Sequence, residues 1–333
     1  MKTLITVPNP FLRKIIFSDT AIKRLQALSE ITWTEEGRKY TSEELAQIIP
    51  PYDACITGWG SVKFTQEVVE KAAKLKFIGH TAGTVVPVVD ECVFDKGITV
   101  VNANDPLARS TAELAVALMM NGAWNIHGYN VGMKQGVWSF NNKETVMGLY
   151  GQVIGLIGMG DISREVIRLL KPYHARILMH SSYCSPEEAQ ALGVELCSLE
   201  ELLKNSQIVS LHNTLTPSTK GMLGQKELAM LKDGALIVNT ARAPIIDQEA
   251  LLEELKTGRI FAAIDVFEKE PIDREDELLK LPNVICTPHI GGFSRYWKTR
   301  LGETAVEELE RYLQGQPLRY EVTLEKFRRQ TPK

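Results

Sequence analysis

The stretch Val153-Ile154-Gly155-Leu156-Ile157-Gly158-Met159-Gly160-Asp161-Ile162-Ser163 decides the fold. Its first five residues carry no charge and include three β-branched side chains, the mark of a strand buried on both faces in a parallel sheet. Two glycines follow at once, and then Ile162 to Leu170 carries apolar residues at helical spacing until Pro172 stops the run. Strand, glycine turn and helix in this order open a dinucleotide-binding βαβ unit. Gly158 permits the tight turn, and Gly160 lets a pyrophosphate approach the free N–H groups at the positive end of the helix dipole. Met159, Asp161 and Ile162 complete the candidate phosphate loop, and Ser163 is small enough for close helix–strand packing. Glycines kept for steric reasons in an ordinary strand-turn-helix are the alternative, and the strand Arg176 to His180 that follows favours the nucleotide reading.

Further β-rich runs lie downstream at Ile208 to Leu211, Ala235 to Val238, Phe261 to Ile264 and Val284 to Cys286, with a helix from Asp247 that ends before Gly258. Upstream, Leu4 to Val7, Ala54 to Trp59, Phe77 to Gly79 and Ile98 to Val101 alternate with helical patterns at Thr65 to Lys74 and Val88 to Lys96. Such alternation predicts an α/β chain with two doubly wound parallel-sheet domains. Ser110 to Trp124 reads as a linking helix capped by Ser110 or Thr111. A last helix starts at Ser294, should bury Trp297, Leu301, Ala305, Leu309 and Leu313, and ends at Gly315; its length suits a strut packing back onto the first domain. The basic tail with Lys326, Arg328, Arg329 and Lys333 reads as a frayed, solvated end.

Length and composition bound the function. At 333 residues the chain suits about two domains, and its 44% hydrophobic and 24% charged content excludes long disorder and fibrous repeats. A net charge of -3 offers no handle on nucleic acid or anionic lipid, so the expected partner is a small molecule. Cys55, Cys92, Cys184, Cys197 and Cys286 are scattered and never paired as C-x-x-C, which favours a reducing cytoplasm and predicts no metal site. Pro8 cuts the first apolar run too short for a signal peptide, and no stretch approaches a membrane span.

Cofactor choice is read where the second strand of such a unit ends. An acidic residue about 20 positions beyond the glycines accepts from the ribose 2′-OH in NAD enzymes. Here the place reads His180-Ser181-Ser182-Tyr183, with no acid until Glu187. Ser181 and Ser182 can donate to a 2′-phosphate, although Arg176 sits at the strand's far end, so the reading is NAD(P) with a lean to NADP(H) or dual use.

Three polar residues follow β-runs in the second half: Arg242, Glu270 and His289. Side chains beyond the carboxyl ends of parallel strands face the ligand crevice. Arginine forks onto a carboxylate, histidine titrates near neutral pH, and a carboxylate beside it favours its protonated form. Singly each has a bland reading as a surface or turn residue; as a set behind a dinucleotide loop they form a reaction centre.

With these residues in place, the chain resembles the D-isomer-specific 2-hydroxyacid dehydrogenase family, which includes glyoxylate/hydroxypyruvate reductases, phosphoglycerate dehydrogenases and D-lactate dehydrogenases. The carriers are Gly155 to Gly160, Val209 to Thr219, Met230 to Arg242, Ala263 to Pro271 and Thr287 to Gly292. The resemblance implies a flavodoxin-like substrate domain, residues 1–101 and 290–333, with an inserted Rossmann NAD(P)-binding domain, residues 102–289. It implies that Arg242 binds the substrate carboxylate and carbonyl, that His289 is the acid/base and that Glu270 holds and charges it. Asp265, Thr240 and Ala241 would hold the nicotinamide carboxamide, with Gly291 beside His289, while His212, Asn213, Thr214 and Thr219 line the adenosine side. Ala82, Gly83 and Thr84 would receive the substrate carboxylate, although this loop departs from the family's wording and Thr214 stands where proline is common. A homodimer, a cleft that closes over the substrate and the absence of a regulatory third domain are further expectations. An NAD(H)-sensing corepressor-like protein of the same fold is the alternative.

Overall fold

The computed structural model describes residues 1–138 and 146–329. Two compact units divide the chain: Met1–Leu107 together with the segment from Phe293 onward, and Ala108–Gly292. The boundaries drawn above at 101/102 and 289/290 fall a few residues before these junctions. Both units are α/β with wholly parallel sheets.

In the first unit, strands β1 (Lys2–Ile5), β2 (Glu30–Trp33), β3 (Ala54–Thr57), β4 (Phe77–His80) and β5 (Thr99–Asn102) lie in the order β2-β1-β3-β4-β5. This is the flavodoxin-like arrangement. Apolar cores cover both faces, one built on Leu45, Val68 and Ile78, the other on Ile5, Ile16 and Phe77. The long helix Arg295–Leu313 supplies Leu301, Ala305, Val306 and Leu309 to the second of these. Each of the buried leucine and valine side chains contributes ~1.5–3 kcal/mol relative to exposure. Helix and chain approach so closely that a Cβ on Gly302 would stand 2.5 Å from the Ile16 carbonyl oxygen.

The second unit adds β6 (Val153–Ile157), β7 (Arg176–His180), β8 (Glu195–Leu196), β9 (Ile208–Leu211), β10 (Leu236–Asn239), β11 (Phe261–Ile264) and β12 (Val284–Cys286). Their order is β12-β11-β10-β9-β6-β7-β8, so the winding reverses between β6 and β9. That reversal is where ligands bind in open α/β sheets. The helix Asp161–Leu170 buries Ser163, Val166, Ile167 and Leu170, one stripe at the spacing read from the sequence.

Several sequence expectations need correction. The helix expected over Ser110 to Trp124 runs Asn104–Ala123, so Ser110 and Thr111 lie inside it and cap nothing. Its first turn carries Asn104, Asp105 and Pro106, residues that suit a helix start but hide it from an apolar pattern. Trp297 is only half-buried and Leu313 is exposed, whereas Lys298 and Glu308 are buried. Glu308 is held because its Oε2 accepts from the N–H groups of Arg319 and Tyr320. The tail is not frayed at Lys326 to Arg329: Leu324–Arg328 is a helix whose Phe327 packs on Phe94 at 5.2 Å and whose Arg328 pairs with Glu91. Lys333 lies outside the described residues.

Candidate active site

The glycine turn is built at the reversal of the second sheet. Gly158 takes φ +94°, and a Cβ there would come within 2.6 Å of the Asn213 backbone, so only glycine fits. Ser163 Oγ donates to the Gly158 carbonyl at 2.5 Å, tying the turn to the helix behind it. Nothing lies within 4 Å of a Cβ placed on Gly160, which leaves its face open. Met159 N–H donates to Ser181 Oγ at 3.1 Å, and so does Tyr183 N–H at 3.1 Å. The turn is thus fastened to the end of β7, with Asp161, Ile162 and the exposed Ser182 around it.

Across the reversal, His212 N–H donates to the Ile157 carbonyl and places the His212 ring directly after β9. Burial pushes the His212 imidazole down to about 4, so it is neutral. Both of its ring nitrogens, Asn213 Oδ1 and Thr240 Oγ1 are buried without a hydrogen-bond partner among the described residues. Thr219 closes the next turn by donating to the Thr214 carbonyl and accepting from Thr216 N–H. Orphaned polar atoms at the ends of β9 and β10, next to an open glycine turn, fit a polar ligand of the dinucleotide kind.

The candidate reaction centre follows β10, β11 and β12. Asn239, the last residue of β10, accepts from Ala241 N–H and donates to the Arg242 carbonyl, shaping the turn that presents Arg242. Burial lowers the Arg242 guanidinium and nearby Glu270 works against it, so a charged arginine is kept in a partly dry place. His289 Nδ1–H donates to Glu270 Oε2 at 2.7 Å, while Glu270 Oε1 accepts from Phe267 N–H at 3.1 Å. Burial raises the Glu270 carboxyl, but its bonds to His289 and the Phe267 N–H, with the His289 and Arg242 charges, outweigh this and hold it below the usual range.

The His289 backbone sits at φ +53°, the left-handed region that a non-glycine residue rarely keeps without support. The support is Asp265. This carboxylate is 1% exposed; Oδ1 accepts from Thr287 Oγ1 and Ile290 N–H, and Oδ2 from Gly291 N–H. The three bonds straddle residue 289. Asp265, expected to face a nicotinamide carboxamide, has both oxygens engaged by the chain itself.

Arg242, Glu270 and His289 therefore stand together, and the glycine turn stands with Ser181, His212 and Asn213. Sequence reasoning missed Asn239 and Thr287, although a polar residue closing an otherwise apolar strand was a usable signal. Ala82, Gly83 and Thr84 belong to the other unit. There the Gly83 carbonyl accepts from Asn102 Nδ2 at 2.7 Å and the Ala82 carbonyl from Ala103 N–H, which fixes the loop after β4. Among the described residues no three histidine, cysteine or acidic side chains gather as a metal site, and no helix is long and apolar enough to cross a membrane.

Comparison with known proteins identifies the family. Residues 116–291 match the D-isomer specific 2-hydroxyacid dehydrogenase, NAD binding domain. The chain is 38% identical over 310 residues to a D-3-phosphoglycerate dehydrogenase of Methanocaldococcus jannaschii, covering 91% of this chain but 58% of that one. It thus spans little more than half the length of that relative. A hydroxypyruvate reductase of Thermotoga maritima is 37% identical over 292 residues, covering 84% of this chain and 93% of the relative. A crystal structure of a Thermus thermophilus protein matches with a TM-score of 0.78 and 31% identity, covering 97% of this chain and 100% of that one. With the glycine turn, the ordered motifs and the fold all in agreement, the chain belongs to the D-isomer-specific 2-hydroxyacid dehydrogenase family.

Proposed function

We propose that the chain is an NAD(P)-dependent oxidoreductase that interconverts a small 2-keto acid and its D-2-hydroxy acid, with Arg242, Glu270 and His289 as its catalytic set. The observation that carries this reading is the 2.7 Å contact of His289 Nδ1 with Glu270 Oε2 beside a partly buried Arg242. The carboxylate fixes the proton on Nδ1 and stabilises the imidazolium, so the other nitrogen, Nε2, gives and takes the substrate proton. Arg242 is a charged fork in a partly dry place and offsets charge on a carboxylate and a developing alkoxide. A bound nicotinamide supplies or accepts the hydride. The residues suited to holding the dinucleotide are Gly158 to Ile162, Ser181, Ser182, His212 to Thr214, Thr219, Thr240, Ala241, His289 and Gly291, with Ala82 to Thr84 for the substrate carboxylate.

Relatives named for hydroxypyruvate, glyoxylate and 3-phosphoglycerate make these acids, or their keto forms, the first substrates to try. Cofactor use is dual with a lean to NADP(H): no carboxylate directly follows β7, and Ser181, which accepts two backbone N–H groups, still has its hydroxyl proton to donate. A cytoplasmic homodimer is part of the proposal. The helix Ile126–Lys134 has no buried residue and exposes Ile126, Tyr129, Val131 and Met133, continuous with exposed Trp124 and Trp138.

A spectrophotometric panel of 2-keto acids with NADH and NADPH tests the activity. Turnover of at least one acid, abolished in His289→Ala while nucleotide still binds, is the expected result. No consumption with any 2-keto acid, or near-normal kcat in His289→Ala, overturns it.

A further inference from the structure

Beside the glycine turn lies a charged pair that the family motifs leave without a role. Arg164 lies on the second turn of the helix Asp161–Leu170, just beyond the glycine turn, and its guanidinium is paired with Glu188 of the helix Pro186–Leu192. Between these helices in sequence runs Ser181 to Ser185. Ser181 Oγ holds Met159 N–H of the glycine turn, and Ser185 Oγ accepts from Glu188 N–H. Cys184, two residues past Ser182, feels both environments: burial raises its thiol and the Arg164 charge pulls the other way. A cation and a carboxylate are thereby brought beside the very segment that lacks an acid in sequence. The side chains are 45% and 24% exposed, so the pair is reachable from solvent and adds little to stability.

The two groups have opposite preferences for a ribose 2′-position. A guanidinium forks onto a phosphate, whereas a carboxylate accepts from a free hydroxyl and repels a phosphate. We propose that Arg164 is the specificity-determining cation for a 2′-phosphorylated adenosine and that Glu188 restrains it, so that NAD(H) and NADP(H) are chosen by competition for one guanidinium. This rests on the dinucleotide reading given above. Glu188 serves the unphosphorylated ribose; release of Arg164 from Glu188 serves the phosphorylated one.

Direct binding tests it without turnover. The wild type, Glu188→Gln, Arg164→Gln, Arg164→Lys and the double Gln variant are titrated with NADH and NADPH by fluorescence, and with 5′-ADP and 2′,5′-ADP by calorimetry. Circular dichroism checks that each is folded. A charge-assisted hydrogen bond to phosphate corresponds to about tenfold or more in affinity. Glu188→Gln should therefore shift the NADPH-over-NADH selectivity upward by about tenfold and Arg164→Gln downward by about as much. Arg164→Lys should fall between, since it keeps the charge and loses the fork. The double variant, which lacks both the cation and the carboxylate, should fall between the two single Gln variants, and 2′,5′-ADP should track NADPH throughout. Selectivity unchanged in both single variants, with all nucleotides still bound, overturns the proposal and leaves the pair a link between helices. A wild type that binds none of the four nucleotides overturns the dinucleotide reading and this inference with it.

Discussion

Replacing His212 by leucine should make the protein more resistant to acid, by an amount the structure sets. Both ring nitrogens are buried without partners among the described residues, and burial moves the imidazole from 6.5 to about 4. The unfolded chain takes up a proton as pH falls below 6.5, while the folded chain refuses it until about 4. Stability linked to this residue is therefore complete above pH 6.5 and is lost progressively as pH falls toward 4. A gap of about 2.5 units at 1.36 kcal/mol each comes to ~3 kcal/mol, trimmed somewhat because the residue as a whole is half-buried. Leucine fills a similar volume, has nothing to protonate and removes two orphaned polar atoms that cost ~1–3 kcal/mol each when buried. Urea denaturation of wild type and His212→Leu at fixed pH values from 7.5 to 4 gives the answer as a difference, in which the carboxylates common to both cancel. The variant's advantage should widen by ~3 kcal/mol toward the acid end. Nucleotide affinity should fall at neutral pH, because the nitrogens that cost stability in the free protein are those a ligand can satisfy. An advantage that stays constant across the range, or shrinks, refutes the reasoning.

Other consequences are measurable. Glu270→Gln keeps the shape but loses the charge beside His289, and kcat for keto-acid reduction should drop on the order of 10²-fold or more. Because Glu270 is held below the usual carboxylate range, its charge survives acidification until pH falls through that lowered value. The acid limb of the wild-type pH profile should therefore lie lower than that of an unperturbed glutamate, and a limb at or above that usual value counts against Glu270 as the partner. Thr287→Val removes one of three bonds to Asp265, at ~1.5–3 kcal/mol for a bond to a charged group. It should lower kcat more than the thermal midpoint if the clamp exists to aim His289, and equal effects on both would show a purely structural role. Gly158→Ala places a methyl against the Asn213 backbone at a left-handed position costing ~1–2 kcal/mol in itself. Nucleotide binding should fall below detection in a calorimetric titration while the fold persists; unimpaired binding contradicts the close approach at the turn.

The fold was legible because its strands announce themselves. Val153–Ile157, Ile208–Leu211 and Phe261–Ile264 are apolar runs of strand length, and the glycine turn ties the first to its helix. Elements that lean on neighbours rather than on their own pattern were missed. β2 is an edge strand of half-buried residues, and β8 has two exposed residues paired with β7. Arg242, Glu270 and His289 were legible because each follows a recognisable strand. The Asp265 clamp was not, since it joins residues up to 26 positions apart and only the folded chain shows that three donors converge on one carboxylate. Arg164 and Glu188 were hidden for the same reason: on separate helices, each reads as an ordinary surface charge.

The discontinuous first unit imposes an order on biosynthesis. Its sheet is finished by residue 102, yet Leu301, Val306 and Leu309, which share a core with Ile5 and Ile16, come from the far end of the chain. A growing chain thus leaves one face of its first sheet only partly covered, by Ile16, Ala21 and Leu25, while the whole of Ala108–Gly292 is made and becomes able to fold. The unit begun first is the last to close, and limited proteolysis of chains stalled at Gly292 reads that order directly.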